Sequence, residues 1–142
     1  MIHIRTTEME DPAYWYGSKL AASTDWRRQL TDEEAGELLS AVSANRGRDT
    51  MEVSIADFPL PRLSPVLKGL AAHVDRGLGL ALIEGVPVHE MDEDEAAMAL
   101  WGMGQHVGRP QIQDAAKSLL HHVRDKRDGG WEENSNRRVY ET

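Results

Sequence analysis

Few side chains in these 142 residues combine at a spacing that chemistry could use. The clearest is His73-Val74-Asp75, the one His-X-Asp tripeptide in the chain. Two histidines and one carboxylate hold iron(II) with open coordination positions. A His-X-Asp on an extended segment can supply two of those three ligands, because residues i and i+2 point the same way. On a helix the same two residues do not share a face. Leu63, Val66, Leu67, Leu70 and Val74 recur at helical spacing around the tripeptide, so His73 and Asp75 read as a chance match on a helix surface. His121 and His122 would point to opposite faces of a strand. His89 in a turn and His106 near a helix end have no ligand-like neighbour in sequence. No catalytic residue and no metal ligand is assigned on this basis.

Other candidates dissolve on the same kind of test. Gly77-X-Gly79 followed by Gly85 lacks the Gly-X-Gly-X-X-Gly spacing of a dinucleotide loop, and it precedes a strand-like run where such a loop should follow one. Asp32-Glu33-Glu34 and Glu93-Asp94-Glu95 open helical patterns, where the macrodipole favours negative charge. Their clustering needs no catalytic explanation. The absence of cysteine from the sequence excludes disulfides and thiolate chemistry. With 24 acidic and 16 basic residues the net charge is −8, which opposes nucleic-acid binding unless a basic patch outweighs it. Arg124, Lys126, Arg127, Arg137 and Arg138 gather late in the chain, but Asp125, Asp128, Glu132 and Glu133 are mixed among them, as on a solvated face. No apolar run approaches ~18 residues and Met1–Asp11 lacks a signal-peptide core. The expectation is a cytoplasmic protein without a membrane partner.

The elements that would position any site follow from periodicity. The length suits one domain, 1–142. Ile2-His3-Ile4 could add as an edge strand, and Tyr14-Trp15-Tyr16 reads as an aromatic anchor for the N-terminal arm in preference to a ligand-stacking patch. Gly17–Ala22 allows one helical turn, with Ser23-Thr24-Asp25 turning into Trp26. Thr31-Asp32-Glu33-Glu34 is a capping box. It starts a helix with Ala35, Leu38, Leu39 and Val42 on one face and a stop at Gly47. Pro59 and Pro61 fix an extended connection into a second helix from Leu63 or Ser64 to about Gly77. Leu78–Ile83 is a nearly continuous apolar run and is expected to be a central buried strand. Asp92 or Met91 leads the last helix, with Ala96, Ala97, Leu100, Trp101, Met103 and Val107 as its apolar face.

The order of these pieces carries a resemblance. The run RGLGLALIEGVPV from Arg76 to Val88, the acidic helix after it, and the ending Gly104-Gln105-His106-Val107-Gly108-Arg109-Pro110 resemble the N-terminal part of the taurine dioxygenase-like (TauD/TfdA) iron(II)/2-oxoglutarate oxygenases. Gln111–Gln113, Ser118–Asp125 and Asn136–Thr142 continue the pattern, which extends from about Ala13. The resemblance implies an α+β fold made of the N-terminal helices and first strands of a double-stranded β-helix (jelly roll), with the core incomplete. In such a family the His-X-Asp element follows shortly after a segment like Arg138–Thr142, and a distal histidine and a 2-oxoglutarate-binding arginine lie far beyond. The implied activity of a full-length member is 2-oxoglutarate-dependent hydroxylation of a small-molecule substrate, with Fe(II) and 2-oxoglutarate as cofactors. For this chain alone the expectation is an inactive N-terminal fragment or truncated homologue that needs no cofactor. By the same resemblance Gln113 lies in the segment lining the substrate mouth. The competing expectation is a stand-alone binding or assembly module derived from that fold, forming homo-oligomers through open strand edges.

Overall fold

A computed structural model describes residues 11–113, 115 and 117–121. The strand expected at Ile2–Ile4, together with His122 and everything after it, lies outside the described residues. The chain divides into two compact units, 1–111 and 112–142. In the first, α1 (Gly17–Ala21), β1 (Arg27–Gln29), α2 (Asp32–Ala44), α3 (Leu63–Arg76), β2 (Leu82–Glu84) and α4 (Glu93–Val107) follow in order. Within the second, the Gln113 amide donates to the Ser118 carbonyl at 2.7 Å.

Helix α2 begins as its sequence requires. The Glu34 amide donates to Thr31 Oγ1 at 3.2 Å, and Glu34 Oε2 accepts from the Thr31 amide at 2.9 Å. Burying the Glu34 carboxylate is tolerable because Arg28 of β1 also donates to it, at 2.8 Å. At the other end Asn45 is 1% exposed, yet its side chain is fully engaged. Its Nδ2 donates to the Ala41 and Asp57 carbonyls at 3.0 and 2.8 Å, and its Oδ1 accepts from Arg48 at 2.7 Å. Gly47, at φ +78°, then reverses the chain in a region that disfavours any residue with a Cβ.

The loop after α2 is closed by Asp57. Its carboxylate accepts from the hydroxyl and amide of Ser54 and lies 3.2 Å from Arg48. These contacts, the Ser54 bonds foremost, pull its pKa down to about 2. A carboxyl depressed in the folded state stabilises fully above its unfolded value, and that contribution disappears as pH falls through the folded one. Denaturant midpoints measured from pH 5 to pH 2 should therefore fall more steeply for the parent than for Asp57→Asn; parallel curves would refute this.

Helix α3 has no capping side chain of its own. Glu37 of α2 reaches across instead, accepting from the amides of Arg62 at 3.0 Å and Leu63 at 2.8 Å. A carboxylate at that end also opposes the helix dipole favourably. Pro65 lies in the first turn, where its missing N–H leaves nothing unpaired. Leu63 and Leu67 are fully buried and Val66 and Leu70 half-buried, as the stripe predicts, but Val74 is exposed.

Two sequence expectations need correction. Leu78–Ile83 is not a central buried strand: among the described residues the strand is Leu82–Glu84, paired in parallel with β1 alone, in the register Arg27↔Leu82, Arg28↔Ile83 and Gln29↔Glu84. Gly79 turns the chain at φ +75°, and the Leu78 carbonyl is taken by the Trp15 indole at 2.9 Å rather than by a ladder. Leu82 is left 40% exposed. The buried face of α4 also differs. Met98, Ala99, Trp101, Gly102, Met103 and His106 turn inward, while Leu100 and Val107 face solvent at 63% and 48% exposure. Its start is a second capping box, Asp92 with Glu95.

The core lies where α4 packs on α2, α3 and the Thr50–Glu52 turn. Phe58, Leu38, Leu60, Leu63, Leu67 and Val53 are its fully buried apolar side chains. No helix among the described residues is long and apolar enough to cross a membrane.

Candidate functional site

The aromatic arm before α1 folds back over the far end of α3. Trp15 Nε1 fixes it through the Leu78 carbonyl, and Trp26 Nε1 donates to the carbonyls of Leu20 and Ser23 at 3.1 and 2.9 Å. Tyr14 and Tyr16 meet edge to face with ring centres 5.8 Å apart. Their hydroxyls lie 3.4 Å from each other, which raises the Tyr14 pKa. Between the arm, the Ser23–Asp25 turn and α3 lies a cavity of about 440 Å³. That volume falls in the range of small-molecule sites, ~300–1,000 Å³.

Its wall is mainly apolar, from Pro12, Tyr14, Trp15, Leu20 and Leu78. Lys19, Asp25 and His73 join it. The Nε2 of His73 is sealed from solvent and has no hydrogen-bond partner among the described residues. A Cβ at Gly77 would stand 2.6 Å from the His73 carbonyl oxygen and 3.0 Å from Nδ1, so only glycine lets the chain close over this imidazole.

A second cavity, about 450 Å³, opens between the end of α2 and the start of α4. It is polar. Arg46 donates to Glu95 across it, and that guanidinium, with the Asp92 amide, lowers the Glu95 pKa. These groups satisfy one another, so the arrangement is that of a surface link between two helices.

The residues singled out from sequence scatter. His73 is half-buried, whereas the Asp75 carboxylate is 79% exposed and 3.6 Å from Arg76; the two do not converge. His89 is exposed, 3.6 Å from Glu90. His106 belongs to the core, with Nε2 2.9 Å from the Phe58 carbonyl and Nδ1 3.0 Å from Ser64 Oγ. His121 and Gln113 are exposed in the second unit. Among the described residues no three histidine, aspartate or glutamate side chains come together. The donors described here do not fit an iron(II) site, and no step of metal chemistry is assigned to them. Sequence reasoning took the aromatic triplet as an anchor, which Trp15 is. It set aside a ligand-stacking role there and did not find the cavity, because His73 lies far in sequence from Lys19 and Asp25 and no local pattern joins the three.

No protein-family model matches the chain. It is similar to the FR-33289 synthase of Streptomyces rubellomurinus, 21% identical over 127 residues, or 88% of this chain and 38% of the synthase. The chain thus spans well under half the length of the curated relative it matches. A distant relationship to an enzyme extends over most of these residues.

Proposed function

We propose that this chain is the N-terminal scaffold of an iron(II)/2-oxoglutarate-dependent dioxygenase-like protein of the TauD/TfdA type, acting on a small molecule, with metal ligands supplied by residues other than those described. The observation that carries the reading is the order of elements from Ala13 onward, together with similarity to a synthase along 88% of the chain. In this role α2, α3 and α4 form a packed base, and Gln113 lies toward the substrate. The parallel pair β1–β2 supports the same role, since so short a sheet is marginal by itself and both outer edges are free to accept further strands among the described residues.

The test is direct. The coding sequence downstream of codon 142 is expected to encode a His-X-Asp within about a strand's length, ~5–6 residues or a little more. Anaerobic titration of residues 1–142 with iron(II) and 2-oxoglutarate should give neither a charge-transfer band nor, once oxygen is admitted, succinate. A downstream sequence without His-X-Asp, or turnover by this chain, overturns the proposal.

The open edges also favour a second reading, a stand-alone oligomeric module. Light scattering separates the two: a concentration-dependent dimer or larger species supports the module, and a monomer throughout removes it.

A further inference from the structure

The cavity behind the aromatic arm has features that the scaffold role does not use. Lys19 and Asp25 are exposed, line the same cavity and bring opposite charges to it, and neither forms an ion pair with the other or with any described residue. The Lys19 ammonium stands 6.0 Å over the Tyr16 ring, near the limit of a cation–π contact. Among the described residues Asp25 engages only through its backbone amide, to Ser23 Oγ at 3.2 Å. The rest of the lining is mainly apolar and aromatic, and it includes His73.

We propose that this cavity binds a small zwitterion with an apolar or aromatic body, the chemistry of a free aromatic amino acid. Its carboxylate pairs with Lys19 and its ammonium with Asp25. The body lies against Trp15, Leu20 and Leu78, in contact with the His73 wall. A ligand with a single charge leaves one of the two side chains unanswered, and a wholly apolar one leaves both. This site is independent of the iron chemistry proposed above and stands or falls without it.

The experiment titrates the full chain with L-phenylalanine, following the Trp15 indole N–H and the His73 imidazole signals by NMR. Phenylacetate, which lacks the ammonium, and phenethylamine, which lacks the carboxylate, are run in parallel. Saturable shifts are expected with L-phenylalanine, and each single-charge analogue should bind about tenfold more weakly, the loss of one charge-assisted contact. Lys19→Gln should weaken L-phenylalanine and phenylacetate but not phenethylamine. Asp25→Asn should weaken L-phenylalanine and phenethylamine but not phenylacetate. Both side chains are exposed, so unchanged amide spectra elsewhere are expected and would confirm that the variants fold. Shifts that stay linear to about 20 mM, in the range of affinities too weak to be specific, overturn the proposal. Equal binding of all three probes, or affinities that ignore both substitutions, does so too.

Discussion

Phe58→Ala is expected to remove about 3–5 kcal/mol of stability, the range for truncating a fully buried aromatic side chain. Phe58 is 0% exposed, and its ring lies directly on the backbone of α4 at Gly102. A Cβ added at Gly102 would fall well inside van der Waals contact with the ring atoms Cγ, Cδ1 and Cε1. Gly102→Ala should therefore cost about 1–3 kcal/mol by over-packing, although alanine is the better helix former by about 1 kcal/mol. The two positions fill one space, so their effects should not add. In a Phe58→Leu background, Gly102→Ala should cost less than in the parent, with a coupling of about 0.5–3 kcal/mol. Urea denaturation reads all four variants, as shifts in midpoint at constant slope. Additive losses would show that ring and glycine do not share the space.

This contact explains why one helix face was misread. Apolar periodicity alone assigns Leu100 and Val107 to the core and passes over Gly102 and His106. Met98, Gly102 and His106 recur every four residues on the side opposite Leu100 and Val107. Neither a glycine nor a histidine scores as core, but here one is the hollow that admits a ring and the other a polar bridge. Signals written in local chemistry survived better. The Thr31 box could be read directly because both of its hydrogen bonds join residues three apart. Helix α3 was likewise legible from Pro65 and its leucine stripe. What caps it was not, since Glu37 acts from a different helix.

The strand expected at Leu78–Ile83 failed for a similar reason. Its composition suits burial on both faces, but a strand needs partners for its backbone. Of that backbone, the Leu78 carbonyl binds a tryptophan 63 residues away in sequence, and β1 offers only three residues to pair. The same distant contact encloses the cavity. Thus the contact that takes the Leu78 carbonyl also borders the candidate binding site, and it could not be inferred without knowing where Trp15 lies.

His106 provides the second large effect. The Phe58 carbonyl can only accept a hydrogen bond, so the imidazole nitrogen facing it, Nε2, carries the proton. In the neutral ring Nδ1 then accepts from the Ser64 hydroxyl. Both nitrogens are thereby satisfied in a residue only 8% exposed. His106→Leu conserves apolar bulk but strands the buried Phe58 carbonyl, at about 1–3 kcal/mol, and takes the partner from the half-buried Ser64 hydroxyl. Ser64→Ala removes one hydrogen bond and should cost about 1 kcal/mol. Adding Ser64→Ala to His106→Leu should then cost little or be favourable, because it removes a group already stranded. Nitrogen chemical shifts of the imidazole check the premise independently: a proton on Nδ1 rather than Nε2 contradicts it. Trp101 and Gln105 reinforce the same link, both donating to the Val53 carbonyl, at 2.9 and 2.8 Å. Three polar side chains of α4 thus grip the backbone between Val53 and Phe58, and this grip holds the Phe58 ring in the hollow at Gly102. Loss of His106 is therefore expected to weaken the Phe58–Gly102 coupling as well, so a double-mutant cycle repeated in His106→Leu should return a smaller value than in the parent.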